Sequence, residues 1–319
     1  MDIATNTRPQ LNAAYARTFQ SDRMTIGVVV PLERYANSPV PTMADHLARA
    51  KQAEELGFSA LWLRDVPFNV PSFGDAGQTF DPFTYLGYLA AATREISLGV
   101  ASVILPLRHP AHVAKAAASA DVLSGGRVLL GVASGDRPEE YPALATDFAN
   151  RAESFRDAVS YIRHMAENYP SFQNAHGAPS GMDLLPKPTG GQLPLLVTGS
   201  SRQAPEWIAQ HSDGWITYPR SVPAQAQMIR NYRANTAAAG RADLPVVQSL
   251  YVDLVDDPDA AASPIHLGFR SGSKALLKYL NELEEIGMTH VALNLRFASE
   301  TAERQLTALA KHILPTFAR

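Results

Sequence analysis

Cysteine is absent from all 319 residues of the chain. Disulfide bonds, thiolate metal sites and thiol catalysis are therefore excluded. The sequence also lacks an apolar run long enough to cross a bilayer, because its hydrophobic stretches have only the length of strands. With a formal net charge of −3, the protein has no overall charge that favours nucleic acid or an anionic membrane. An apolar share of 46% is enough for a sizeable core.

Residues 1–23 lack the features of a secretion signal. They mix charged and polar residues, with no basic start, apolar centre or small-residue cleavage site. We therefore expect a cytoplasmic protein with an N-terminal arm over residues 1–23, either loose or packed on a partner subunit. The remaining residues, 24–319, are expected to form one domain.

From residue 24 onward, short apolar runs alternate with helical patterns. The runs predict parallel strands that are covered on both faces, namely Ile26–Pro31, Ser59–Leu63, Ile96–Leu105, Arg127–Ala133, Leu193–Thr198, Gly214–Thr217, Pro245–Leu254 and His290–Leu295. Helical patterns separate the runs, and Thr42 is the expected cap of the first of these helices. Eight strand-then-helix units without a second core predict an α/β protein, a single (β/α)8 TIM barrel.

Three stretches rich in proline or glycine interrupt this alternation. They follow the second, fourth and seventh predicted strands, at residues 65–80, 169–192 and 256–270. Loops of this length are usually functional or mobile rather than simple connectors, so we predict insertions at these positions.

Small residues end the third, fourth and fifth predicted strands. Ser134 and Gly135 follow the fourth strand, and Gly199-Ser200-Ser201 lies between the fifth strand and the next helix. Barrel enzymes keep their chemistry at the carboxyl ends of the strands. A helix that begins after Gly-Ser-Ser offers free N–H groups and a positive dipole end to a phosphate, to which Arg202 could add charge. The alternative is that this turn only caps the helix.

Three longer stretches occur in the same order along the predicted strands, and they resemble the luciferase-like superfamily of flavin-dependent monooxygenases and oxidoreductases. They are LGVASVILPLRHP (98–110), LSGGRVLLGVASGDRPEEYPAL (123–144) and LPLLVTGSSRQAPEWIAQHSDGWITYP (193–219). The resemblance runs from about Met24 to the C-terminus, and PSFGDAGQ, ASGDRPEE and PIHLGFR are similar to stretches of one bacterial subgroup. It implies a (β/α)8 barrel that binds FMN, or alternatively the deazaflavin F420, at the strand carboxyl ends, and a homodimer.

The resemblance also implies which residues contact the cofactor. In the superfamily a bulge on the third strand, often with a non-prolyl cis peptide, supports the flavin ring. The positions that match the bulge and the phosphate site are Val100, Ala101, Ser102, Ser134, Gly135, Gly199, Ser200 and Ser201. No Gly-x-Gly-x-x-Gly fingerprint opens a separate dinucleotide domain. Reduced FMN is therefore expected from a separate flavin reductase or from NAD(P)H that docks transiently.

The catalytic candidates are Asp65, His109 and Tyr218. Several relatives have Glu-His-His-Phe after the second strand, where this chain has Asp65-Val66-Pro67-Phe68, so the catalytic His is absent. Asp65 inherits only the position of the carboxylate, and its alternative role is to orient Arg64 or to cap the loop. His109 could donate to the reacting group, or it could only make a local hydrogen bond at a helix start. Tyr218 ends the sixth strand and could contact flavin or substrate.

Further candidates also lie near strand ends or in the insertions. Arg220, Asn294 and Arg296 could hydrogen-bond the flavin edge or a substrate anion, although Arg296 could equally be a surface charge. His266 and Arg270 could belong to a lid over the mouth or to an ordinary insertion, and Glu33, after the first strand, is a further candidate. Arg127 begins the fourth strand, at the opposite end of the barrel, and is expected to be structural. His109-x-x-His112 has metal-like spacing without a third ligand, so we expect no metal site.

Three functions remain open at this point. The first is an FMN-dependent monooxygenase that uses reduced flavin and oxygen on a small organic substrate. The second is an F420-dependent hydride-transfer enzyme, although no run of Lys or Arg near Gly199 or Ser134 matches the acidic tail of F420. The third is a flavin-binding protein without turnover, which the missing His keeps open.

Overall fold

The computed structural model describes residues 8–318, and its centre is a closed barrel of eight parallel strands. The barrel strands are β1 (Thr25–Val29), β2 (Ala60–Leu63), β3 (Ser97–Ile104), β4 (Val128–Ala133), β5 (Leu195–Thr198), β6 (Gly214–Thr217), β7 (Val246–Leu254) and β10 (His290–Asn294). Neighbouring strands pair in order, and β10 pairs with both β7 and β1, which closes the ring. The predicted (β/α)8 barrel is confirmed.

Helices surround the ring. They are α1 (Ala13–Thr18), α2 (His46–Glu55), α3 (Pro82–Ala92), α4 (Pro110–Ser124), α5 (Glu140–Ala143), α6 (Arg151–His164), α7 (Pro205–His211), α8 (Val222–Ala238), α9 (Ser273–Glu285), α10 (Ala302–His312) and α11 (Leu314–Phe317). Both α3 and α4 begin at a proline, where the missing N–H costs little, after a capping side chain. Within the described residues, 8–318, no helix is long and apolar enough to cross a membrane.

The expected cap of α2 is wrong. The helix begins after Asp45, whose φ of 55° is left-handed and whose side chain makes no capping bond. Thr42 instead donates to Glu33 through its amide (3.0 Å) and its hydroxyl (2.9 Å). The Glu33 carboxylate also accepts from the Met43 amide at 3.0 Å. Glu33 therefore fixes the start of the α2 segment, which accounts for it without a catalytic role.

The barrel interior is packed with side chains at its lower end. Trp62 lies inside, and a Cβ on Gly99 would be 2.3 Å from its ring, so β3 needs glycine at that point. The Trp62 Nε1 donates to His290 Nε2 at 2.9 Å, and His290 Nδ1 lies 2.7 Å from the Thr25 hydroxyl. Burial lowers the pKa of His290 to about 3, so the imidazole is neutral at physiological pH.

The described part of the N-terminal arm closes the amino end of this interior. The hydroxyl of the buried Tyr15, on α1, donates to the Asp213 carbonyl at 2.7 Å. Asn12 donates to the Asp121 carboxylate at 2.9 Å and to the Val128 carbonyl at 2.8 Å. The arm is therefore bound to the chain's own barrel, so the expectation of a loose arm is wrong, while packing on a partner subunit stays a prediction. Residues 1–7 of the predicted arm lie outside the described residues.

The three predicted insertions differ in structure. Residues 65–80 hold only a short 3-10 turn, and residues 169–192 only the isolated bridge Asn174–Gly177. The third contains an antiparallel hairpin, with β8 at Ser263–Ile265 and β9 at Gly268–Ser271. Strand β9 pairs in parallel with the upper part of β7, so the hairpin extends the barrel wall above the strand ends.

Candidate functional site

The expected bulge on the third barrel strand is present. The Ala101–Ser102 peptide bond is cis, and the register between β3 and β4 shifts between Val100 and Val103. A Cβ on Gly131 of β4 would lie 2.4 Å from the Val100 carbonyl oxygen, so only glycine leaves room for the bulge. The Ser102 hydroxyl hydrogen-bonds that of Thr198, which ties the ends of β3 and β5 together.

The segment after β4 presents its backbone to the mouth of the barrel. Ser134 is buried, and its carbonyl oxygen accepts a hydrogen bond from the Tyr141 hydroxyl. Gly135 has a φ of 75°, and a Cβ there would lie 2.9 Å from that hydroxyl and 2.8 Å from the Ile104 side chain. Glycine is therefore required at position 135 by both conformation and space. The Tyr141 hydroxyl therefore fixes the backbone of the segment after β4 through its hydrogen bond to Ser134.

The turn after β5 has left-handed backbone at Gly199, Ser201 and Arg202, with φ values of 56°, 43° and 62°. The Gly199 amide donates to the Ile216 carbonyl at 2.8 Å, and the Ser201 hydroxyl donates to the Thr198 carbonyl at 2.8 Å. Within residues 8–318, the amides of Ser200 and Ser201 have no acceptor in hydrogen-bond distance. Successive free amides in a turn can bind an anion.

The origin of these donors differs from the prediction. We expected a helix to begin directly after Gly-Ser-Ser, but α7 begins at Pro205 and has only seven residues. Residues 202–204 separate the turn from the helix, and the Gln203 amide donates back to the Ser200 carbonyl at 2.8 Å. The free amides at this site therefore belong to the turn itself rather than to a helix terminus.

Tyr218 and Arg220 lie beside this turn. Tyr218 is 47% exposed, and the nearest side-chain atom to a Cβ on Gly199 would be in its ring, at 3.5 Å. Desolvation raises the pKa of the Tyr218 hydroxyl, and the negative charge of Asp136 adds to the rise, so the hydroxyl is a donor at neutral pH. Together with Gly199 and Ser200, Tyr218 and Arg220 line one end of a cavity of about 260 Å³.

Asp65, a predicted catalytic residue, is part of a buried ion pair. Its two oxygens accept from Nε (2.9 Å) and Nη2 (2.7 Å) of Arg108, and one of them also accepts from the Ile104 amide at 3.1 Å. Burial alone would lower the pKa of Arg108, but hydrogen bonds and charge from Asp65 and Asp81 raise it. The carboxylate is fully engaged, which argues against a catalytic role. The alternative role of Asp65, to orient Arg64, is also wrong, because its partner is Arg108.

His109, the second predicted catalytic residue, caps α4. Its Nδ1 accepts from the Ala111 amide at 3.2 Å, which requires that the hydrogen is on Nε2, 3.0 Å from the His176 carbonyl oxygen. Its ring contacts those of Tyr161 on α6 and of His112 and His176. The local hydrogen bond at a helix start therefore describes His109, and the geometry does not bring it to the Gly199 turn.

Sequence reasoning missed Asp75, in the loop after β2. Its carboxylate lies 2.7 Å from Arg64 Nη1 and 2.9 Å from Arg296 Nη1, and it accepts from the Tyr35 hydroxyl at 3.1 Å. Burial alone would raise the pKa of Asp75, but Arg64, the Gly77 amide and Arg296 together lower it. The only local signal in the sequence was an aspartate in the loop that begins after Arg64, and nothing near it pointed to Arg296.

Arg296 was expected at the flavin edge, at a substrate anion or on the surface, and the surface expectation is wrong. It is buried, paired with Asp75, and donates to the Gly74 carbonyl at 2.7 Å. Its own amide donates to the Asn294 side chain at 3.0 Å, which engages Asn294 as well. Arg296 therefore holds the loop after β2 at one side of the mouth.

The remaining candidates lie away from the Gly199 turn. The ring of His266, on the β8–β9 hairpin, is 5.5 Å from that of Tyr251, and Arg270 is 3.6 Å from Asp253. Both belong to the contact between hairpin and β7. Arg127 is buried and donates to the Thr93 hydroxyl at 2.8 Å, as its expected structural role requires. Within residues 8–318, no three His, Asp or Glu residues come together as a metal site.

The open part of the mouth is therefore the rim formed by β3 to β6. Its surface consists of small side chains and backbone at Ala101, Ser102, Ser134, Gly135 and Gly199, with free amides at Ser200 and Ser201. The opposite part is filled by the Arg64–Asp75–Arg296 ion pairs. Such a rim can support a flat ring and bind an anionic tail.

The sequence and the fold were compared with those of known proteins. The family model for luciferase-like monooxygenase matches residues 24–314. An uncharacterized protein of Mycobacterium tuberculosis is 32% identical over 238 residues, which is 69% of this chain and 83% of that protein. The F420-dependent hydroxymycolic acid dehydrogenase of the same organism is 28% identical over 255 residues, 78% of this chain and 68% of the dehydrogenase. Among solved structures, a monooxygenase from Streptomyces bottropensis matches with a TM-score of 0.77, 18% identity and coverage of 92% of this chain and 100% of that one.

Proposed function

The chain belongs to the luciferase-like monooxygenase family, and from this premise we propose that it is an FMN-dependent monooxygenase that acts on a small organic substrate. The observation that carries the proposal is the rim of β3, β4 and β5, where small residues end the strands and the amides of Ser200 and Ser201 make no backbone hydrogen bond to the described part of the chain. A flavin needs a flat support for its ring and N–H donors for its phosphate. This rim offers both.

Each part of the rim has a defined role in the proposal. The bulge at Val100–Ser102 supports the ring, and the amides of Ser200 and Ser201 donate to the phosphate. When bound, reduced FMN supplies the electrons with which oxygen is activated for transfer of one oxygen atom to substrate. Tyr218, whose ring lies beside Gly199 of the turn, donates a hydrogen bond at the phosphate end of the site. The clamped loop after β2 excludes water from one side.

F420-dependent hydride transfer is the second candidate, and the 28% identical F420-dependent dehydrogenase favours it. F420 carries an acidic glutamyl tail, which needs several cations next to its phosphate. The cavity beside the Gly199 turn has Arg220 as its one charged lining residue, and its walls are mostly apolar. FMN, which ends at its phosphate, therefore fits this site better.

The proposal also covers the source of reduced FMN, the oligomeric state and the location of the protein. Reduced FMN comes from a separate flavin reductase or from NAD(P)H that docks transiently, and the protein works as a cytoplasmic homodimer. Sedimentation analysis tests the dimer, and oxygen uptake with NADPH as the sole reductant tests direct reduction.

The central experiment compares the two cofactors. The purified protein is titrated with FMN and F420 separately, each in the oxidised and the reduced form, and oxygen uptake with reduced FMN is then followed across candidate substrates. We expect tight binding of reduced FMN and oxygen uptake that depends on substrate. Preference for F420 would replace the proposal by the hydride-transfer alternative. Flavin binding without any substrate-dependent oxygen uptake would indicate a binding protein without turnover.

A further inference from the structure

The cavity beside the Gly199 turn lies outside the barrel wall. It has a volume of about 260 Å³ and runs between α7, α8 and the outer face of β6. Helix α7 has only seven residues, so it leaves the upper part of β6 uncovered. The walls include Ile208 of α7 and Met228 of α8, and Gly199 and Ser200 form the end next to the turn.

Two aromatic side chains give this cavity fixed, flat walls. Trp215, on β6, donates through Nε1 to the Gly199 carbonyl oxygen at 2.8 Å, which locks its ring against the turn. The ring of Tyr232, on α8, lies 5.2 Å from that of Trp215 at an angle of 38°, and its hydroxyl is 3.3 Å from that of Ser212. Preformed aromatic walls favour a planar occupant.

The polar groups of the cavity lie at its ends. Arg220 is next to the turn, where an occupant that continues from a phosphate carries negative charge. Asn231 lines the cavity from α8, and its Oδ1 accepts from Gln227 at 2.8 Å, which leaves the Nδ2 group as a donor. This group can donate to a ring nitrogen of adenine.

We propose that this cavity binds the adenosine group of an adenine dinucleotide whose pyrophosphate lies on the Gly199–Ser201 turn. The inference depends on the proposed phosphate site. The volume is below that of pockets that hold whole drug-sized ligands, so it suits one end of a dinucleotide and not all of it. FMN has no group beyond its phosphate, and a glutamyl tail would bring several carboxylates to apolar walls, at a desolvation cost.

Two ligands contain this group, and the experiment separates them. In one case the protein takes FAD as its flavin, and in the other NADPH occupies the turn in place of FMN. The full-length protein is titrated by calorimetry with ADP alone, FMN, FAD and NADPH. Competition in protein without FMN then shows whether ADP displaces FAD or NADPH, because FMN and a dinucleotide would place their phosphates on the same turn. Displacement of either one supports the inference and identifies the source.

A cavity-filling variant tests the place of binding. Met228→Trp puts a large ring into the cavity beside Trp215 and Tyr232, and Ala234→Trp puts the same ring on the exposed side of α8 as a control. We expect Met228→Trp to weaken binding of ADP and of the preferred dinucleotide by about tenfold or more, with FMN affinity unchanged and the control like the parent protein. Asn231→Leu, at an exposed position, should weaken ADP binding as well and serves if Met228→Trp does not fold.

The outcomes separate this inference from the proposed function. If FMN binds but ADP does not, or if ADP binding is unchanged in both Met228→Trp and Asn231→Leu, the adenosine site is wrong while the flavin site stands. If neither FMN nor FAD binds, the phosphate turn is not a cofactor site, and both proposals fall together.

Discussion

The carboxylate of Asp75 lies 2.9 Å from Nη1 of Arg296, and this contact joins the loop after β2 to the end of the last barrel strand. Arg64 approaches the same carboxylate at 2.7 Å, so one buried anion is shared by two buried guanidinium groups. All three side chains lie at the carboxyl ends of the strands, where the barrel would otherwise be open. The loop after β2 is therefore fixed by charge, although it has little regular structure.

Replacement of Asp75 by Asn is expected to destabilise the protein by about 3–5 kcal/mol, because two buried cations lose their shared counter-charge. Urea unfolding at neutral pH measures this, with Asp256→Asn at an exposed position as the matched control. Hydrogen exchange should rise in residues 64–80 and not elsewhere. A loss of stability below about 1 kcal/mol would mean that the loop is held by other contacts.

The same substitution has a pH signature. Because the two arginines and the Gly77 amide lower the pKa of Asp75, its folded-state pKa is below its unfolded-state value of about 3.9. The stabilisation is thus complete above the unfolded-state pKa and is lost as the pH falls through the folded-state pKa. Asp75→Asn should lack this part of the acid-induced loss, whereas Asp256→Asn should keep it.

Gly199→Glu tests the phosphate turn. The new carboxylate would stand beside the Ser200 and Ser201 amides, so we expect flavin binding to be abolished while the circular dichroism spectrum stays that of the parent. The positive φ of 56° adds a small strain with any side chain, so Gly199→Ala is the control and should retain binding within a few-fold. Unchanged flavin affinity in Gly199→Glu would move the phosphate site elsewhere.

Much of this fold could be predicted because each barrel strand is a short apolar run buried on both faces, separated from the next by a helix with its own start and stop signals. The bulge at Ala101–Ser102 could be located only through the resemblance to the superfamily. The packing of α1 under the barrel could not be predicted. It depends on Tyr15 meeting Asp213, a contact between distant parts of the chain that leaves no local pattern.

The site was predicted less completely, for a related reason. Small residues at strand ends are visible in the sequence, and they do form the rim. The partner of a charged residue is not visible, as Asp65 illustrates. Adjacent residues in extended backbone point to opposite sides, so Asp65 could not pair with Arg64 and reaches Arg108 instead. Only tertiary structure showed that Arg64 and Arg296 share Asp75.

Tyr218 and His109 form a matched pair for testing catalysis. We expect Tyr218→Phe to lower oxygen uptake at limiting reduced FMN by about tenfold, because it removes a donor beside the phosphate turn. His109→Ala removes only the cap of α4 and should cost about 1 kcal/mol of stability with kcat nearly unchanged. Oxygen uptake at saturating substrate measures both variants. The opposite ranking would show that the reacting end of the site lies near α4.

His290 provides a pH test of the barrel interior. Burial lowers its pKa to about 3, against about 6.5 in the unfolded chain, so the unfolded state binds one more proton between these values. Stability should therefore fall as the pH drops below about 6.5, by up to about 1.4 kcal/mol per pH unit. In His290→Gln this slope should disappear whatever the absolute stability of the variant, while His312→Gln, at an exposed position, should keep it. Urea unfolding between pH 4 and 7 checks the slope. If His290→Gln kept the slope of the parent protein, the imidazole would not be the neutral acceptor of the Trp62 hydrogen bond that the geometry requires.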